Sequence, residues 1–317
     1  MTNKLRNYAQ EKRMAQVHSS LMLILVLAVA LMSAPSALAK KSATPDGQSR
    51  FAKFDLKPNG GQGEARVHYK SYGKGREALV LIHGWSCNMD FWRDSSADLA
   101  KRNRVIAIDL PGHGQSDKPQ IAYSMDLFAR AVEAVLRDAK VERAVLVGHS
   151  MGTPIARQFY RKYPQKTLAI VIVDGALRNF GDKKVIDGLI AGLRGPNYKE
   201  AGQGMLAFLA GPHLSAELKQ RIQTSFLSTP QYVLVSGMEE MATDSIWGED
   251  KISVPVLAVM AKSLFYAPDL EEFYRSIAPN LDFQLWDDAG HFLMMEKPEK
   301  FNNTVIAFLD KNKLLKK

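Results

Sequence analysis

The sequence predicts an α/β fold, a mostly parallel sheet covered by helices, on three observations. Short β-rich runs alternate with helical stretches along most of the chain. Several of those runs are apolar throughout rather than at every second residue, as expected for strands buried on both faces. One long block, from about Leu177 to Asp250, holds helix-like segments and no convincing strand, so it reads as a helical cap inserted between two core strands. With 317 residues, 46% of them hydrophobic, the chain can bury a substantial core.

The first forty residues read as an address. Lys4, Arg6, Lys12 and Arg13 precede an apolar run from Leu21 to Met32, and Ala37-Leu38-Ala39 places small residues at a cleavage site. That run is shorter than the roughly 20 residues a membrane span needs. Residues 1–39 are therefore expected to be a signal peptide cleaved before Lys40, with a periplasmic or secreted product. The alternative is an uncleaved membrane anchor. Residues 40–50 follow as a polar linker, and the domain proper is expected at 51–317. The formal charge of +9 falls to +6 without the four basic and one acidic residue of the leader. That excess is scattered and forms no nucleic-acid stripe.

In chain order, the expected strands are Val67 to Tyr72, Ala78 to Ile82, Val105 to Ile108, Ala144 to Val147, Ile170 to Val173, Val256 to Met260 and Phe283 to Leu285. Helical periodicity marks Asp90 to Ala100, Ser124 to Ala139, Pro154 to Tyr163 and Pro298 to Leu309. Within the cap it marks Lys183 to Leu193, Lys199 to Leu209 and Ser215 to Leu227. Met205, Phe208, Leu209, Phe226, Met238, Met241 and Trp247 of the cap suit packing, and an inner face so built would also line an apolar pocket. Cys87 is the only cysteine and reads as buried filler, so no intramolecular disulfide forms.

The chemistry centres on VLVGHSMGTPIARQ, where a strand ends at Val147 and a helix begins after Ser150. A serine on so sharp a turn needs small residues two positions to either side, which Gly148 and Gly152 supply. The turn presents the hydroxyl at a helix N-terminus, where the Met151 amide can meet developing negative charge. A second donor is expected from the Trp85 amide in His83-Gly84-Trp85. Of the seven histidines, His18 lies in the leader, His68 in a strand and His213 in the cap. His113 lies in a glycine- and proline-rich turn, and His149 flanks the serine. His291, directly after the last strand, is the candidate base.

HGW at His83 to Trp85, DLPGHGQSD at Asp109 to Asp117, GHSMG at Gly148 to Gly152 and GHFLMMEKP at Gly290 to Pro298 together resemble the α/β-hydrolase fold family, in its esterase, lipase and peptidase-like members. The resemblance spans nearly all of Phe51 to Leu315. It implies eight mostly parallel strands, a variable helical cap after the sixth, and a serine-histidine-acid triad. Members that open epoxides or remove halides carry aspartate at the elbow, so Ser150 argues against those activities.

The chain departs from the family at its acid. The usual position, Gly-x-x-Asp after the seventh strand, is occupied here by Ala261 and Leu264. Some relatives use an acid at the end of the sixth strand, which makes Asp174 the first candidate and Asp269 the runner-up. The acid matters because it orients the imidazole and stabilises its protonated form.

The expected function is an exported serine hydrolase acting on a carboxylic ester of a small, largely apolar substrate. A peptidase, lactonase or thioesterase with the same residues, or a ligand-binding protein without efficient hydrolysis, are the alternatives. No metal or organic cofactor is implied.

Overall fold

Interior strands must satisfy their backbone on both edges and bury both faces, and the apolar runs of this chain do so in one sheet. The computed structural model describes residues 47–179, 183–210, 214–262 and 266–315, all within one compact unit, Pro45–Lys317. The expected leader 1–39, His213 and Leu264 lie outside the described residues.

The strands are β1 (Gln48–Asp55), β2 (Glu64–Tyr72), β3 (Glu77–Ile82), β4 (Val105–Ile108), β5 (Arg143–His149), β6 (Thr167–Val173), β7 (Val256–Ala261) and β8 (Leu281–Trp286). Their order across the sheet is β1-β2-β4-β3-β5-β6-β7-β8. The β1–β2 and β2–β4 pairs are antiparallel and the remaining pairs parallel. All seven strands expected from the sequence are present. The eighth, β1, begins at Gln48, inside the stretch read as linker. Only Ala52 and Phe54 of β1 are buried, and Phe51 is 42% exposed, so this edge strand carries almost none of the apolar alternation by which a strand is recognised.

Among the described residues, ten α-helices flank the sheet or lie in the connections between its strands. They are α1 (Arg93–Leu99), α2 (Met125–Asp138), α3 (Gly152–Lys162), α4 (Lys183–Arg194), α5 (Tyr198–Ala210), α6 (Ala216–Ser228), α7 (Gln231–Met241), α8 (Leu270–Ile277), α9 (Leu293–Glu296) and α10 (Pro298–Lys311). Ser124 and Ser215 cap α2 and α6 by accepting from the amides of Leu127 and Leu218. The segment expected as one helix from Asp90 splits into a 3₁₀ turn, Met89–Trp92, and α1. Among the described residues no helix is long and apolar enough to cross a membrane.

Helices α4 to α7 form an insertion between β6 and β7, inside the block set apart in the sequence. Helix α7 was not evident there because Val233, Val235 and Gly237 are poor helix formers. Its glycine has a packing reason, since a Cβ at Gly237 would lie 3.2 Å from the Trp85 ring.

One side chain ties both ends of the insertion to the sheet. Arg157 of α3, fully buried, donates to the Leu177 carbonyl at 2.8 Å, to the Gly248 carbonyl, and to Asp250 at 3.2 Å. Arg161, one turn on, holds the same Asp250 carboxylate and the Ile246 carbonyl. Replacing Arg157 by methionine keeps the bulk but removes the guanidinium donor from three backbone carbonyls, those of Leu177, Gly248 and Asp250. The expected result is a loss of about 2–4 kcal/mol in urea unfolding, with limited proteolysis cutting first between residues 177 and 250.

Candidate active site

The strand-to-helix turn at Ser150 is as tight as its glycines suggest. A Cβ at Gly148 would lie 2.3 Å from the Gly152 carbonyl oxygen, and one at Gly152 would lie 2.4 Å from the Ile82 carbonyl oxygen of β3. Ser150 itself sits at φ +52°, a left-handed conformation costly for a residue with a side chain. The turn is held by the Ser150 amide donating to Val173 at 3.0 Å and by the Thr153 hydroxyl donating to Gly148 at 2.9 Å.

Asp174 extends β6 by one residue, at φ +43°. Its carboxylate accepts from the Ala261 amide through Oδ1 at 2.8 Å and meets His291 Nδ1 through Oδ2 at 2.7 Å. Ala261, where the family pattern has its glycine, thus orients Asp174 through its backbone. Nδ1 of His291 is thus engaged by Asp174, and Nε2 is the ring nitrogen that does not face that carboxylate. The loop carrying His291 is fixed twice. Glu296 accepts the Gly290 amide at 3.0 and 3.1 Å, and His149 Nε2 donates to the His291 carbonyl at 2.9 Å.

Ser150, Asp174, His291, Trp85 and Met151 all line one cavity of about 340 Å³. The insertion closes it with Met205, Met238, Met241 and Trp247. Trp85 is fixed by its indole N–H donating to the Leu234 carbonyl of α7 at 2.9 Å. Asp269, the runner-up acid, is elsewhere: it forms a bidentate pair with Arg178 at 2.7 and 2.8 Å and is 61% exposed. Among the described residues no three His, Cys, Asp or Glu side chains gather to hold a metal ion.

The other histidines have structural partners. His83 accepts the Leu110 amide and donates to the Gly84 carbonyl, and burial pushes its pKa down to about 4. His113 donates to the Pro111 carbonyl, and burial with the nearby His83 lowers it to about 3. Burial, reinforced by His291, holds His149 well below the ordinary range. His68 meets Asp109 at 2.8 Å and the Ser49 hydroxyl at 2.7 Å, a second contact between serine, histidine and aspartate. There the serine lies on the exposed edge strand, away from the cavity, and Asp109 also accepts the Met89 and Gln115 amides. Cys87 is buried against the Trp85 carbonyl, and burial raises its thiol pKa, so it is a poor nucleophile. Arg178 and Glu296 had no local signal in the sequence, since their partners are Asp269 across the fold and a backbone amide.

Comparison with known proteins agrees with this architecture. The alpha/beta hydrolase fold family matches residues 77–298. A 2-hydroxy-6-oxononadienedioate/2-hydroxy-6-oxononatrienedioate hydrolase of Paraburkholderia phymatum is 29% identical over 270 residues, covering 78% of this chain and 91% of that protein. A solved structure described as an N-acyl homoserine lactone degrading enzyme superposes with TM-score 0.69 at 27% identity, covering 82% of this chain and all of the other. An esterase from Exiguobacterium antarcticum superposes with TM-score 0.74 at 18% identity over 83% of this chain and all of the other, a likeness of fold.

The buried histidines make stability depend on pH with a definite sign. His83, His113 and His149 stay neutral in the fold, whereas in the unfolded chain each binds a proton near 6.5. Below that value the unfolded state holds more protons. Their contribution is therefore complete above about pH 6.5 and is lost as pH falls toward the folded values, about 4 for His83 and about 3 for His113. Denaturant midpoints are expected to fall steeply between pH 6.5 and 4.5; a flat profile would contradict neutral burial.

Proposed function

This chain belongs to the α/β-hydrolase fold family, and we propose that it acts there as an exported serine hydrolase cleaving a carboxylic ester or related acyl bond of a small, largely apolar substrate. The observation that carries the reading is the convergence, on one cavity, of Ser150 on its strained turn with the Asp174–His291 pair.

In this mechanism His291 Nε2 takes the Ser150 proton as Oγ attacks the carbonyl carbon. The Asp174 carboxylate stabilises the imidazolium that forms. Negative charge on the carbonyl oxygen is met by the Trp85 and Met151 amides, at the N-terminal end of α3. His291 then protonates the leaving alcohol, and the acyl group stays on Ser150. Water, deprotonated by the same imidazole, releases the acid and restores the serine.

Hydrolysis of a carbon–carbon bond is the second reading, favoured by similarity along 91% of the length of the dioate hydrolase. A panel pairing simple esters and lactones with a vinylogous diketone separates the two.

Fluorophosphonate treatment of the chain from Lys40 is expected to label Ser150 and no other residue, with Ser150→Ala unlabelled. Folded protein that stays unlabelled would favour ligand binding over hydrolysis. Asp174→Asn should lower kcat by about 10³–10⁴. Asp269→Asn is expected to spare ester turnover on that scale; the reverse pattern would overturn the assignment of the acid. Export is tested separately: protein recovered from the periplasm should begin at Lys40, and a chain retained in membranes from Met1 would support the anchor instead.

A further inference from the structure

Among the described residues, Arg178 is the only lysine or arginine lining the cavity. Its guanidinium is already engaged. Both terminal nitrogens hold the two oxygens of Asp269, and the plane lies over the Phe273 ring with 4.9 Å to its centre. Asp269 stands at the N-terminus of α8, yet its side chain caps no amide there. Its carboxylate is therefore not explained by the helix, and Arg178 is its partner. The remaining wall is largely apolar and rich in methionine, with Asn179 as a neutral polar group.

We propose that the Arg178–Asp269 pair sets the substrate class of this site, admitting neutral acyl chains and disfavouring chains that end in a carboxylate. This rests on the serine-hydrolase reading. Asp269 occupies the guanidinium edge between the two terminal nitrogens, and its charge offsets that of Arg178. A substrate carboxylate that displaced Asp269 would exchange one such pair for another and gain nothing. It would still lose hydration on entering an apolar cavity, with no compensating attraction. Natural substrates are then neutral esters or lactones of an apolar acid.

The test compares p-nitrophenyl hexanoate with mono-p-nitrophenyl adipate, acyl chains of equal length that differ in a terminal carboxylate. Wild type is expected to prefer the hexanoate by at least about tenfold in kcat/KM. Asp269→Asn frees the guanidinium and should narrow that ratio by at least about fivefold, through a lower KM for the adipate ester. Arg178→Met leaves the Asp269 charge unpaired near the cavity and should widen it. Opposite movements in the two variants distinguish this device from general damage to the fold. Equal use of both esters by wild type, or a ratio that neither variant shifts, overturns the proposal while leaving Ser150 labelling intact. Absence of both labelling and turnover in wild type instead removes the hydrolase reading, and this inference with it.

Discussion

The site depends on one steric constraint: the chain must pass from β5 into α3 through Ser150 and Met151 alone, so tightly that a Cβ at residue 148 would strike the Gly152 backbone and one at residue 152 would strike β3. That congestion holds Ser150 at positive φ, because the β5–β6 ladder on one side and α3 on the other leave the backbone no alternative. The strain is local and is offset by the sheet around it. Strands β3, β5 and β6 are almost wholly buried, so the turn rests on the most rigid part of the molecule.

Charge at the site is arranged by the same framework. Asp174 projects from the end of β6 and is oriented by the amide of the neighbouring strand β7, so its position needs no loop of its own. Elsewhere in the core the buried imidazoles of His83, His113 and His149 are kept neutral and serve as hydrogen-bonding spacers. Of the three, His149 is closest in role to the reaction, because it bears on the His291 backbone and thereby on where that ring sits.

How much of this the sequence disclosed follows from burial. Strands β3 to β7 were legible because continuous apolar runs such as VIAI and TLAIVIV have few other uses, whereas β1 buries two side chains and looks like linker. Helix α7 was hidden by β-branched residues whose packing overrides their propensity. Ser150, Gly148 and Gly152 were legible because the turn is local. The acid could be narrowed to two residues and no further: what separates Asp174 from Asp269 is that Arg178, distant from Asp269 in sequence, engages the latter. Glu296 was invisible for the same reason, since a carboxylate that holds a backbone amide leaves no pattern in the side chains around it.

The buried guanidinium of Arg157 has a consequence for how such a molecule diversifies. It grips the insertion through the carbonyls of Leu177 and Gly248, groups that every amino acid possesses. The chain between those two points is thus fastened as a cassette at both ends, and its own side chains bind it along its length: Arg221, Ser225 and Tyr232 donate to the carbonyls of Asp90, Ser86 and Lys118. Exchange of that cassette would remodel one wall of the cavity while β6, β7 and the serine turn keep their places. A graft must therefore match the separation of those two ends and also leave partners for the Tyr123 and Met125 amides, which Ser236 and Glu240 now accept.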